Sequence, residues 1–168
     1  MEYKIVYSGR RTLALSLKNG ELTVRAPYGT TVKRIEKEIS KHSEWIAAHT
    51  KKQMERALSE KSIEDREAEL RILAKEILPK KTAYYADVMG LKYNAVRITG
   101  AKTRFGSCST KGNISYSYRL MAYPEAAIDY VVVHELAHLV EMNHSPRFYA
   151  VVERVLPDYK TRKRLLKI

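Results

Sequence analysis

The stretch that most constrains this chain is residues 124–142, PEAAIDYVVVHELAHLVEM. Proline is tolerated in the first turn of a helix, and no glycine or second proline interrupts residues 125–142. Tyr130, Val131, Val132, Val133, Leu136, Leu139 and Val140 clothe such a helix nearly all round, so the pattern predicts a helix buried inside a protein core. Into it the sequence sets His134, Glu135 and His138. Polar groups left without partners in a core are costly, so a reason for them is needed. Residues four apart lie one above the other on a helix, which puts both imidazoles on one face. Two such nitrogens can bind a single Zn²⁺ at roughly 2.0–2.1 Å, with Glu135 beside the position of a water whose proton a carboxylate can take.

A catalytic zinc takes a third protein ligand and keeps one position open. His144 is the first choice: three of the five histidines fall within residues 134–144, and Asn143 is suited to the left-handed conformation that ends a helix and turns the chain back. The spacing after His138 matches the HExxHxxGxxH arrangement, but Glu141 replaces its glycine and no later methionine supplies a Met-turn, so this is not an ordinary metzincin. Glu153, on the next expected helix, is the second choice. His42 and His49 have no carboxylate or cysteine pattern around them and read as surface residues. Cys108 reads as a small buried hydrophobe, and Gly106 as a point of close backbone approach.

The rest of the sequence supplies an α+β frame in 168 residues. Residues 3–7, 12–18 and 21–26 alternate as strands, the last two joined by the hairpin signal Asn19-Gly20, and together they predict an antiparallel unit ending at Pro27. Thr30 or Thr31 caps a helix carrying Val32, Ile35, Ile39, Trp45 and Ile46 to about residue 58, with a break near His42-Ser43. A second helix opens at Ser62 with Ile63, Leu70, Ile72, Leu73, Ile77 and Leu78 on its buried side; Pro79 ends or interrupts it, and the helical pattern resumes over 83–88 and stops at Gly90. Strands follow at 94–99, 102–109 and 113–119, giving a short antiparallel sheet before the HExxH helix. Ser145-Pro146 starts another helix with Phe148, Val151, Val152 and Val155, and Asp158 begins a short basic one. The expected organisation is a hairpin and helical region over 1–88 and a metal-binding region over 89–168, as one compact unit.

Composition narrows the class. One cysteine excludes an internal disulfide framework, and no run approaches the roughly 18 apolar residues of a membrane helix. The N-terminus lacks the apolar run of a signal peptide, so the expected location is the cytoplasm. Lys and Arg number 31 against 19 Asp and Glu, a net charge of +12 that is densest at Lys160, Arg162, Lys163, Arg164 and Lys167. Such a field suits nucleic acid or nucleotides as well as plain solubility.

The runs TRFGSCS (103–109), GNISYSYRL (112–120) and PEAAIDYVVVHELAHLVEMNHSPRFY (124–149), with ELTVRAP (21–27) and Trp45, resemble the YgjP-like metallopeptidase family, which is related to the SprT-like and WLM zinc peptidases. Phe105 stands where that family's Arg-aromatic-Gly-Ser-Cys stretch is expected to have tryptophan. The resemblance implies a zincin-like core, one Zn²⁺ held by His134, His138 and His144, and Glu135 as the catalytic base. The expected activity is zinc-dependent hydrolysis of a peptide or protein, with a substrate strand paired along 103–109 and an oxyanion partner among Tyr149, Tyr159 and Arg147. The competing functions are a metal-dependent nucleotide pyrophosphohydrolase and a DNA-associated protease or binding module, both drawing on the positive charge.

Overall fold

A computed structural model describes residues 2–18 and 20–166. Asn19 and Lys167 therefore lie outside the described residues. The chain forms two compact units, residues 1–62 and 63–168.

In the first unit, strands β1 (Tyr3–Ser8), β2 (Ala14–Lys18) and β3 (Glu21–Pro27) precede helix α1 (Val32–Lys41) and most of α2 (Ser43–Asp65). The β2–β3 pair is antiparallel, as the hairpin signal between them indicates, but β1 runs parallel to β3 and the order is β1-β3-β2, not an antiparallel meander. The reason lies in β3, whose Leu22, Val24 and Ala26 are all fully buried. The most deeply buried strand takes the centre, with a neighbour on each edge. Ile35 and Ile46 close this small core, while Val32 and Trp45 face outward. Gln53 of α2 braces the hairpin, donating to the Leu17 carbonyl and accepting from the Gly20 amide. The break between α1 and α2 falls at His42, as expected.

The second unit contains α3 (Glu67–Met89), β4 (Ala95–Thr99), β5 (Gly106–Cys108), β6 (Asn113–Ser117), a 3-10 turn (Tyr118–Ala122), α4 (Glu125–Ala137), α5 (Pro146–Val155) and α6 (Tyr159–Arg164). The sequence places a helix start at Ser62; α2 instead continues to Asp65 and the helix is interrupted at Arg66. Pro79 sits inside α3 without ending it. Leu70, Ala74, Leu78 and Ala86 anchor α3 in the second unit's core on both sides of the proline, and that burial outweighs one lost backbone bond. An expected boundary at 88/89 groups α3 with the N-terminal region; its packing groups it with residues 63–168. Gly90 ends the helix at φ +64°, with the Leu91 amide bonded back to the Ala86 carbonyl.

Here too the sheet is mixed rather than antiparallel: β4 is parallel and β5 antiparallel to the central strand β6. Ile114 and Tyr116 of β6, with Val96 and Ile98 of β4 beside them, join the core that also holds Val132, Val133 and Leu136 of α4. The expected strand 102–109 shortens to three residues. None of the described helices is long and apolar enough to cross a membrane.

Candidate metal centre

Helix α4 is buried on almost every face, Ala127 through Val133 together with Glu135, Leu136 and Ala137. It ends five residues earlier than the apolar pattern suggests. After Ala137 the backbone tightens, with the Leu139 amide bonded to the Leu136 carbonyl and the Val140 and Glu141 amides to the Ala137 carbonyl. The expected end at Asn143 is thus corrected: the reversal starts at His138, whose Nδ1 lies 3.2 Å from the Glu141 carbonyl. The early turn leaves room for the chain to return. Ser145 then caps α5 by accepting from the Phe148 amide, with Pro146 in its first turn.

The return carries His144 back to the helix. Its Nε2 stands 3.0 Å from His134 Nε2, and ligand atoms of His134, His138 and His144 all lie within 4.8 Å of one another. Two nitrogens on one tetrahedral ion at ordinary Zn–N distances sit about 3.3 Å apart, so the spacing fits a shared ion. Phe148 is fully buried and its ring centroid lies 4.6–4.8 Å from all three imidazoles, forming the floor of the cluster. Burial lowers the pKa of His134 to about 3, with His138 and His144 adding repulsion. Burial also lowers that of His138. Both rings are therefore neutral near pH 7, the state in which imidazole binds metal. Glu153 is exposed on α5 and outside the cluster, so the geometry brings together the first choice of third ligand and not the second.

Glu135 is 5% exposed, and its Oε2 has no hydrogen-bond partner among the described residues. Burial pushes its carboxyl up to about 7, opposed by the nearby positive charge of Arg104. Strand β5 presses on it: a Cβ at Gly106 would stand 2.5 Å from Glu135 Oε1. The close approach anticipated for this glycine is thus to the carboxylate. A cavity of about 210 Å³ opens here between Phe105, Gly106, Tyr130, His134, Glu135 and Leu166. Cys108 is half-buried, its thiol raised by burial and by Glu135, and it stands outside the histidine cluster.

Of the three oxyanion candidates, Tyr149 lies 6.3 Å from His144 ring to ring and stacks on Tyr159 at 5.7 Å, whereas Arg147 is exposed. Two further residues of the site escape sequence reasoning. Arg104 gives no signal apart from its place in TRFGSCS. Tyr130 does give one: it lies four positions before His134 on the same helix, and its hydroxyl is 3.3 Å from His134 Nδ1.

A family model described as YgjP-like, metallopeptidase domain, matches residues 60–168. Among solved structures, the metallopeptidase zymogen of Pyrococcus abyssi abylysin aligns at 28% identity with a TM-score of 0.48, over 52% of this chain and 90% of that one. No curated protein matches the sequence significantly.

Proposed function

This chain belongs to the YgjP-like metallopeptidase family, and we propose that it cleaves peptide bonds using one zinc ion held by His134, His138 and His144, with Glu135 as general base. One observation carries the reading: three imidazoles converge within 4.8 Å beside a buried carboxyl whose Oε2 has no partner among the described residues. Three imidazole nitrogen donors form a borderline-soft set suited to zinc and leave a fourth position open. When bound, zinc supplies a Lewis acid that polarises a carbonyl and acidifies water.

The protein's own groups do the rest. Glu135 accepts a proton from the attacking water and delivers it to the departing amine. In the metal-free protein burial raises this carboxyl to about 7, opposed by Arg104. Strand β5 supplies the docking edge. Phe105 and Ser109 direct their backbone groups to β6, through Ser117 N to Phe105 O and Ser109 N to Asn113 O. In an antiparallel pair the alternate residues face the other way, so Gly106 and Cys108 turn their amides and carbonyls to the outer edge. An extended peptide pairing there would run beside the strand whose face covers Glu135.

The test is Glu135→Gln. It should keep zinc and fold while hydrolysing peptides at least about two orders of magnitude more slowly, the scale of a general base. Wild-type turnover by this variant would end the assignment. Running nucleoside triphosphates alongside the peptides separates the phosphoanhydride reading, since cleavage of these and not of peptides would favour it.

A further inference from the structure

We propose that Tyr130 is a positioning residue of the metal centre, its hydroxyl accepting the Nδ1–H of His134 and so fixing the tautomer that presents Nε2 to the ion. The proposal rests on the zinc reading of the three histidines. A neutral imidazole carries one N–H. If His134 Nε2 gives its lone pair to the metal, the proton must sit on Nδ1, where Tyr130 Oη is 3.3 Å away. His138 meets the same need with the Glu141 backbone carbonyl, which no side-chain substitution removes. Tyr130 is therefore the replaceable partner.

Its position is held from behind. Tyr130 is 3% exposed, and its ring stacks on Tyr159 of α6 at 6.5 Å and 15°. Tyr159 stacks in turn on Tyr149 of α5 at 5.7 Å and 20°. Helix α6 is itself tied down through Arg162, which bonds Asp158 at 2.8 Å and reaches Asp129 of α4 at 3.4 Å. The three rings thus form a wall linking α4, α5 and α6 behind the cluster, and the hydroxyl of the first touches a ligand. A tyrosine that only filled core would keep its effect on stability and lose any effect on the metal.

The measurement is zinc affinity by chelator competition for wild type, Tyr130→Phe, Tyr159→Phe and His134→Ala. Tyr130→Phe keeps the stacked ring and should bind zinc about 10-fold more weakly or worse, the usual effect of removing an outer-shell partner. Tyr159→Phe keeps the stack without touching a ligand and should bind as wild type. If Tyr130→Phe binds as tightly as wild type while His134→Ala loses the metal, the positioning role is refuted and the zinc site stands. If His134→Ala also binds as wild type, the zinc reading falls with it. Should metal-free Tyr130→Phe unfold early, the cobalt-substituted proteins decide. Altered d–d bands at saturating cobalt support the role, and bands superimposable on wild type overturn it.

Discussion

Gly106→Ala tests whether strand β5 sets the position of the Glu135 carboxylate. Gly106 is absent from the glycines with positive φ, so an alanine's backbone is permitted there and only space is at stake. The added Cβ would stand 2.5 Å from Glu135 Oε1, 2.6 Å from Cγ and 2.7 Å from Cδ. Ordinary carbon contacts begin near 3.5 Å, so something must move by about 1 Å. Glu135 can yield only by swinging its side chain towards the adjoining cavity, because its backbone sits on a helix buried on nearly every face. Overpacking of this kind costs about 1–3 kcal/mol, which for a unit of roughly 100 residues lowers the melting midpoint by about 5–15 °C. Moving a catalytic group by about 1 Å costs on the order of 100-fold in turnover. Thermal unfolding of Gly106→Ala, Glu135→Ala and the double variant separates this clash from general damage to β5. Glu135→Ala removes Cγ, Cδ and Oε1, so in that background Gly106→Ala should cost less than about 0.5 kcal/mol, leaving a coupling of about 1–2 kcal/mol. Equal destabilisation in both backgrounds would refute the reasoning.

The third ligand is tested by metal content: His144→Ala should lower zinc occupancy sharply, while Glu153→Gln, altering an exposed side chain outside the cluster, should leave it intact. The pH dependence of the metal-free protein gives another prediction. Glu135 is raised from 4.5 to about 7 on folding, so it binds its proton more tightly in the folded state, and stability from this group falls as pH rises from about 4.5 through 7. The loss amounts to about 3 kcal/mol at roughly 1.4 per pKa unit. In excess chelator, Glu135→Gln should therefore hold its melting midpoint better than wild type across that window, and parallel curves for the two proteins would contradict it.

Much of the site was legible because α4 states it in one segment. The apolar run demands burial, and the i,i+4 spacing places His134 and His138 without tertiary knowledge. His144 was harder. Spacing suggested it, but the turn that returns it to His134 begins at His138, where three i→i+3 and i→i+4 backbone bonds close the helix; side-chain periodicity carries no information about such closure. The strands were readable from alternation, but their partners were not. β3 and β6, buried along their inner faces, occupy the sheet centres, and β1 and β4 pair with them in parallel. That choice depends on which strand the whole unit can bury best. Pro79 misled in the same way, since a local helix breaker was outweighed by core contacts on both sides of it. Arg104 was invisible because its effect on Glu135 is a charge acting through space.

The site also breaks the rules that the surrounding core obeys, and that violation has a direction. Val132, Val133, Leu136 and Phe148 are fully buried apolar neighbours of the kind a stable core prefers. Among them α4 holds Glu135, one of whose oxygens is unpaired among the described residues, and the cluster holds two imidazoles that burial drives neutral. Each of these groups would be more comfortable in water, so folding the metal-free chain carries a penalty that hydrophobic burial elsewhere in the unit offsets. The penalties favour protonation states that the proposed zinc chemistry would use. Neutral nitrogens at His134 and His138 are ready to ligate without first losing protons. Substituting the site with apolar residues of similar volume should therefore stabilise the metal-free fold while abolishing metal binding, the trade expected where strain is kept for chemistry rather than for structure.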